Sequence, residues 1–412
     1  MNNSELFLKQ NHTPNTADHS IPSALPESNQ NTASSSHSLE LLRVLAAGLV
    51  VLTHTSAQWL DASCQAGLAA LLFTQLCSIV SFCGVTIFVM LSGAIYLSPA
   101  HRVKSTSMRI MLTRAIRFFL MYLIWKLFYL AEDLLLHPEN LQDGGIKEQL
   151  FLAFFRTNGK YHLWYLPMFS LLLLLVPLIY EGAQRRSACQ VYLTVFTLAA
   201  VILPTAFLYE FPFKYLLMDA RNLFDLNHFL GYLGYFLLGH TLYQFAGSEK
   251  SAGHSRLLLL LLWISALLSL GVALWTAASR SIGQATACSS FATPFAGNTL
   301  LLASAIFLTI VLRRTYVPFA APQKDAKNVS SSRSTAPGET TRGASQSLRF
   351  LHTLSGLTLG IYLLHPFVLD LIQQTRLLNK ITNPLVGIPV LWFLMTMISA
   401  ALAKLLNRLW NH

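Results

Sequence analysis

Charged residues are scarce in this chain. Asp, Glu, Lys and Arg make up 11% of its 412 residues, whereas hydrophobic residues make up 53%. The hydrophobic residues gather in blocks of about 20, the length that an α-helix needs to cross a bilayer. This composition argues against an ordinary soluble domain. It predicts an all-α, polytopic integral membrane protein surrounded by a lipid bilayer.

Cysteine is also scarce, and its spacing excludes two common kinds of site. The five cysteines form no CxxC pair and no metal-type spacing, so we expect neither a bound metal nor a thioredoxin-like motif. Most of them fit the role of small apolar core residues. Cys64 and Cys288 both fall in predicted outer loops, and a disulfide between them stays open as an alternative.

Several functional motifs are missing. The chain has no Gly-rich phosphate loop, HExxH, GxSxG or heptad pattern. No apolar block holds the several carboxylates of a proton-driven pump, which weakens ion-coupled transport. The net charge of +11 comes from short Lys and Arg runs between apolar blocks, so we expect no nucleic-acid partner.

The apolar blocks predict about ten membrane spans. Before them, residues 1–38 are rich in Ser, Asn and Thr, which predicts a disordered tail and not a cleavable signal peptide. One transmembrane domain then covers 39–410, with a flexible loop at about 315–349. The predicted spans are 39–60, 71–97, 111–130, 163–180, 191–209, 228–245, 257–277, 295–312, 355–373 and 385–406.

The basic residues predict how the chain is oriented. Loops rich in Lys and Arg near the span ends stay in the cytoplasm. Four loops between predicted spans are rich in Lys and Arg. All four lie on the same side of the membrane if the N-terminus is cytoplasmic. We therefore expect both the N-terminus and the C-terminus in the cytoplasm.

The first span carries two ionisable residues, Arg43 and His54. They are eleven residues apart, which on an α-helix places them within roughly 20° of one face and about 16 Å apart in height. Glu40 precedes Arg43 at a spacing that allows an ion pair. Arg43 also fits a snorkelling anchor, and His54 also fits an interhelical hydrogen bond, so both structural readings stay open.

Other spans contain further polar candidates. Arg114 and Arg117 lie three apart near the cytoplasmic boundary, where guanidinium groups suit a phosphate. A topogenic charge cluster is the alternative. Gly84, Ser92 and Gly93 in the second span are small enough for close helix packing.

Two later segments add histidines among aromatic residues. His162 and Trp164 open the fourth span, where an interfacial aromatic belt is expected in any case. Tyr362 and His365 stand in the ninth span just before a proline, which can loosen the local helix. His365 fits either a second polar wall of a cavity or a packed hydrogen-bonding residue.

Taken in order, these motifs resemble the membrane acyltransferase-3 family. Its members share an Arg-x10-His first span, a small-residue second span, an Arg-x-x-Arg entry to the third span and a late GIYLLH-like span. The phrase around His54 and the His162-Leu163-Trp164 motif look most like the branch that O-acetylates surface polysaccharide, typified by enterobacterial common antigen O-acetyltransferase. The residues that carry the match are Glu40, Arg43, His54, Gly84, Phe88, Ser92, Gly93, Arg114, Arg117, Gly360, Ile361, Tyr362 and His365.

The resemblance implies an O-acetyltransferase of the bacterial inner membrane. Acetyl-CoA would be the cytoplasmic donor substrate, with no bound cofactor, and a sugar hydroxyl of a surface polysaccharide or its lipid-linked precursor would be the acceptor. We expect Arg43, Arg114 and Arg117 to bind the donor. The supporting or acceptor-side residues would be Glu40, Ser92, His162, Trp164, Tyr362 and His365.

His54 is the expected catalytic residue. A neutral histidine can remove the proton of the acceptor hydroxyl as a general base, or carry the acetyl group itself as a nucleophile. The residues leave these two routes open. They also leave two other function classes open, namely a transporter or flippase for a lipid-linked sugar and a structural partner in polysaccharide assembly.

Overall fold

The computed structural model describes residues 28–136, 160–196, 226–247, 252–281, 296–316, 339–375 and 381–410. These residues form thirteen α-helices and one 3-10 turn, and they contain no β-strand. The prediction of an all-α protein is confirmed. The helices are α1 Ser28–Ala57, α2 Leu60–Gln65, α3 Leu68–Ser81, α4 Cys83–Tyr96, α5 Arg102–Thr106, α6 Met108–Leu136, α7 Tyr165–Gln184, α8 Arg186–Phe196, α9 Leu226–Ala246, α10 Ala252–Ser281, α11 Ala296–Tyr316, α12 Glu339–Gln374 and α13 Pro384–Trp410.

Six helical segments in the described part of the chain are long and apolar enough to cross a membrane. They are His37–Ala57, Leu68–Tyr96, Tyr165–Gln184, Gly253–Ser279, Arg349–Gln374 and Pro384–Leu409. Each coincides with a predicted span. The second segment comprises α3 and α4, which meet at Phe82. The chain is therefore multi-pass, with six such segments where the sequence predicts about ten spans.

The other four predicted spans are not among these six segments, each for its own reason. Helix α6 covers 111–130, but it carries too many Arg, Lys, Asp and Glu residues to be counted with the six. Helix α9 covers 228–245, and its Gly, Tyr, His and Asn residues lower its hydropathy. Near 295–312 the apolar helix Gly297–Leu312 is shorter than the six. Of the predicted span 191–209, the part after Phe196 lies outside the described residues.

Two helices begin inside segments that the sequence predicts to be irregular. Helix α1 starts at Ser28, within the predicted tail, and α12 starts at Glu339, within the predicted loop. Residues 1–27 and 317–338 lie outside the described part. Cys64 is disulfide-bonded, while Cys77, Cys83 and Cys189 are free thiols. Cys288, the partner considered from the sequence, is outside the described residues.

Glycines let the helices around α1 approach closely. A Cβ on Gly84 of α4 would lie 2.9 Å from the Ala46 carbonyl oxygen and 2.9 Å from the Val50 nitrogen of α1. Such contacts require α4 to rest on the backbone of α1. On the opposite side of α1, Trp392 of α13 donates its indole N–H to the Gly48 carbonyl at 2.7 Å. The helix that carries Arg43 and His54 is thus held between α4 and α13.

Helices α4 and α9 cross through a reciprocal pair of glycines. A Cβ on Gly93 would overlap the backbone of Phe236, and a Cβ on Gly239 would overlap the backbone of Met90. Phe236 and Met90 are fully buried. The close helix packing inferred from the small residues of the second span is therefore present, and its partners are α1 and α9.

We predict that Gly239→Ala destabilises the protein. The added methyl group has to displace buried backbone at the α4–α9 crossing, which typically costs about 1–3 kcal/mol. Gly271→Ala is the matched control, because a Cβ on Gly271 meets nothing within 4 Å. Thermal unfolding of detergent-purified protein should show a lower midpoint for Gly239→Ala and an unchanged or slightly higher one for Gly271→Ala. Equal midpoints would contradict this packing.

Candidate functional site

A cavity of about 400 Å³ lies among α1, α4, α6, α7 and α12. Its walls are mainly aliphatic and aromatic, with a few polar groups. A cavity of this size and lining is typical of a small-molecule site. The residues that line it are Arg43, Val50, Val85, Phe88, Leu91, Ser92, Ile95, Tyr96, Phe118, Tyr165, Phe169, Ser355, Gly356, Thr358, Leu359 and Tyr362.

Two guanidinium groups lie beside Tyr96 at one end of the cavity; Arg43 lines the cavity, and Arg114 lies behind the Tyr96 ring and outside the lining. Arg43 of α1 donates to the Ser355 hydroxyl of α12 at 3.4 Å. The guanidinium carbon of Arg114 lies 5.4 Å from the centroid of the Tyr96 ring. The Tyr96 hydroxyl interacts electrostatically with both arginines. This end of the cavity is therefore cationic, and suited to an anionic group such as a phosphate.

Tyr96 is a cavity residue that the sequence motifs do not single out. It follows Ser92 by four residues, as Ser92 follows Phe88, and all three side chains line the cavity. Residues four apart share one face of a helix. The sequence therefore does indicate Tyr96: its spacing places it on the same face of α4 as Ser92, which is already a candidate.

Of the sequence candidates, Arg43, Ser92 and Tyr362 line the cavity. Three others lie apart from both the cavity and the Tyr96 ring. Arg117 is exposed on α6. The Glu40 carboxylate is 2.9 Å from His352 Nδ1 and 3.5 Å from His37 Nδ1. Its partners therefore include two histidines, whereas the sequence spacing suggested Arg43. Trp164 packs against other rings, with its centroid 5.2 Å from that of Tyr232.

Three histidines from three parts of the chain form a cluster. His54 of α1 stacks on His365 of α12, with ring centroids 5.1 Å apart and planes 26° apart. His162, in the turn before α7, lies 5.3 Å from His365. The ring of Tyr161 covers His54 at 4.5 Å. We call these four residues the histidine cluster. The structure thus brings together three histidines that the sequence singles out separately.

Tyr362 joins the cavity to the histidine cluster. Its ring lines the cavity and lies 5.4 Å from the ring of His162 and 6.1 Å from that of His365. Its hydroxyl donates to the His162 carbonyl. Val50, which precedes His54 by one helical turn, also lines the cavity. The cavity therefore has the cationic end on one side and Tyr362, with the histidine cluster behind it, on another.

The ring nitrogens of the cluster are mostly unpaired. His365 Nδ1 lies 3.2 Å from the Ile361 carbonyl, while His365 Nε2 and both nitrogens of His162 have no hydrogen-bond partner within the described residues. The Leu363 carbonyl near His162 already accepts from Tyr129 at 2.6 Å. Burial lowers the pKa of His162 well below its usual range, so this ring is neutral at pH 7.

His54 differs from the two buried histidines, because its side chain is partly exposed. Within the described residues its ring nitrogens have no hydrogen-bond partner. A ring with a free nitrogen and access to a ligand can remove a proton from an incoming hydroxyl. The described residues contain no group of three His, Cys, Asp or Glu side chains that could hold a metal ion.

An ion cluster that the sequence does not reveal lies beside the histidine cluster. Lys160 pairs with Asp370 of α12 and lies 3.6 Å from the carboxylate of Glu132 on α6. Its ammonium nitrogen is also 5.6 Å from the Tyr129 ring centroid. Because Lys160 directly precedes Tyr161 and His162, these ion pairs anchor the turn that supplies two members of the histidine cluster.

The chain matches a known protein family. The model of the family Acyl_transf_3, described as an acyltransferase domain, matches residues 36–405. No curated protein and no solved structure matches the chain. The matched range includes the cavity, the histidine cluster and the ion cluster.

We predict that Asp370→Asn destabilises the protein by about 2 kcal/mol, because it leaves the partly buried Lys160 ammonium with one carboxylate and not two. Asp133→Asn is the matched control, since Asp133 is exposed next to Glu132. Thermal unfolding in detergent should separate the two variants. An Asp370→Asn midpoint as high as that of Asp133→Asn would show that the ion pairs do not hold this turn.

Proposed function

The chain belongs to the acyltransferase-3 family, whose model covers nearly its whole length, and is thus a membrane acyltransferase; on this premise we propose its donor, acceptor and catalytic residue. The proposed reaction moves acetyl from acetyl-CoA to a sugar hydroxyl of a surface polysaccharide or its lipid-linked precursor. The proposed location is the bacterial inner membrane, with both termini and the donor on the cytoplasmic side.

The observation that carries this proposal is the position of Tyr362 between the cavity and the histidine cluster. Acetyl transfer from coenzyme A needs the anionic carrier held at one place and a base held at another, with the acyl carbon between them. The cavity has paired cations at one end and approaches three histidines at the other. This arrangement supports transfer between two substrates that enter from opposite sides.

Arg43 and Arg114 are the proposed donor-binding residues. Their guanidinium groups can form charge-assisted hydrogen bonds with the phosphates of coenzyme A at the mouth of the cavity. The apolar walls formed by Phe88, Phe118 and Phe169 suit the uncharged arm that carries the thioester. Of the three arginines expected from the sequence, Arg43 lines the cavity and Arg114 contacts the lining residue Tyr96, whereas Arg117 is exposed, so we propose the first two.

His54 is the proposed general base. Its free ring nitrogen takes the proton of the acceptor hydroxyl while the hydroxyl oxygen attacks the thioester carbonyl. Collapse of the tetrahedral intermediate breaks the carbon–sulfur bond and releases coenzyme A as a thiolate, which the histidinium proton can neutralise. In the alternative route, the His54 ring nitrogen attacks the thioester, the carbon–sulfur bond breaks and coenzyme A leaves as a thiolate. The sugar hydroxyl then attacks the acetyl-imidazole, the carbon–nitrogen bond breaks, and the hydroxyl proton passes to the freed His54 ring.

We expect His54→Ala to abolish acetylation and leave the protein in the membrane. The measurement is the O-acetyl content of surface glycans by NMR, in cells that carry the wild-type gene, a deletion, His54→Ala or His254→Ala. His254 is exposed on α10 and serves as the control that should keep wild-type acetylation. Normal acetylation in the His54→Ala strain would overturn the catalytic assignment.

The same spectra test the proposed activity as a whole. If the deletion strain and the wild-type strain have equal O-acetyl content, the acetyltransferase proposal fails. A transporter or flippase for a lipid-linked sugar would instead change the amount of glycan at the surface and leave the acetyl content per repeat unchanged.

The donor site gives a second prediction. Arg43→Gln and Arg114→Gln should each weaken acetyl-CoA binding at least tenfold, because each removes one of the two cations at the cavity mouth. Arg117→Gln, one turn further along α6, should change it less than twofold. Isothermal titration of acetyl-CoA into purified protein measures all three. A larger loss for Arg117→Gln than for Arg43→Gln would contradict the proposed site.

A further inference from the structure

An exposed aromatic ring lies directly over His54. Tyr161 is 48% exposed, although its ring centroid is only 4.5 Å from that of His54. The mechanism does not use this ring. A large ring beside a catalytic base, with much of its surface open, is a platform for a flat apolar face of a ligand.

Two hydrogen-bonded glutamines lie one helical turn beyond His54. Gln58, one turn after His54, donates to the His54 carbonyl at 3.3 Å and accepts from Gln373 of α12 at 2.8 Å. Both side chains are exposed. A glutamine amide has two donor hydrogens and an acceptor oxygen, so this pair has hydrogen-bonding capacity to spare. The pair can therefore donate a hydrogen bond to a hydroxyl group and accept one from it.

The nearby charges do not favour an anionic ligand. Lys160, the cation that directly precedes Tyr161, is held by Asp370 and by Glu132. A carboxylate brought to Tyr161 would therefore face two protein carboxylates and a cation that is already paired. Like charges at close range disfavour such binding.

We propose that Tyr161, Gln58 and Gln373 form the acceptor subsite and that it takes an uncharged sugar. The Tyr161 ring stacks on the apolar face of the sugar, and the glutamine amides bind its hydroxyl groups. Together they hold one hydroxyl at the free nitrogen of His54. This inference rests on the proposed acetyl transfer, since it names the acceptor for the same site.

Steady-state kinetics of the purified protein test the subsite. Tyr161→Ala should raise the acceptor KM at least tenfold and leave the KM for acetyl-CoA within twofold, while Tyr161→Phe, which keeps the ring, should stay near wild type. Gln373→Ala should raise the acceptor KM about fivefold. Gln374→Ala is the matched control, because Gln374 is the exposed neighbouring glutamine, and it should have no effect.

A binding measurement tests the charge preference without requiring turnover. Saturation-transfer NMR with p-nitrophenyl β-glucoside and p-nitrophenyl β-glucuronide compares two probes that differ in one carboxylate. The glucoside should bind wild-type protein at least tenfold more tightly, and Tyr161→Ala should lose its signal. Equal or tighter binding of the glucuronide, or no binding of either probe, would overturn the proposed subsite.

The two proposals fail in different ways. If wild-type protein acetylates the acceptor and His54→Ala does not, but Tyr161→Ala and Gln373→Ala keep the wild-type acceptor KM, the subsite is wrong and the acetyltransferase assignment stands. If Tyr161→Ala lowers kcat with an unchanged acceptor KM, the ring positions His54 and does not bind the sugar, which also overturns the subsite. If wild-type protein acetylates no glycan, the proposed function itself fails.

Discussion

Polar groups inside an apolar helical bundle require a partner, water or a ligand, and the arrangement around α1 follows from that requirement. Arg43 reaches Ser355 midway along α1, and His54 stacks on His365 near the C-terminal end of the helix. Both contacts are to α12. The two helices therefore face each other with a polar contact at each of these two places, and apolar residues such as Val51 and Ile361 belong to one buried cluster between them. Each of these two ionisable side chains of α1 thus has a partner on α12.

The sequence was sufficient where local periodicity determines the answer. Arg43 and His54 lie eleven residues apart on one helical face, and the structure directs one to the cavity and the other to the histidine cluster. The all-α fold follows from the apolar blocks in the same way. The count of about ten spans depends on segments such as α6, whose charged residues fall outside a simple apolar pattern. The position of α6 depends on its packing against α7 and on the ion pair between Glu132 and Lys160.

Contacts between distant parts of the chain could not be predicted from the sequence. Lys160 and Asp370 are 210 residues apart, and only the folded chain brings them together beside Tyr161. The same is true of His162, whose neighbours come from α6 and α12. In the sequence, the aromatic residues around His162 fit an aromatic belt at the membrane interface as well as they fit a functional site. Only its contacts with α6 and α12 therefore identify the segment around His162 as part of a candidate site.

Tyr362 has one more consequence, which concerns the membrane and not the reaction. Its ring lines the cavity and neighbours the rings of His162 and His365, and its hydroxyl donates to the His162 carbonyl, so an aromatic side chain stands between the cavity and the histidines. A continuous column of water through a protein would let protons leak and dissipate the membrane potential. An aromatic ring between the cavity and the histidines interrupts such a column, so polar groups can lie on both sides of it while the electrical insulation of the membrane is preserved.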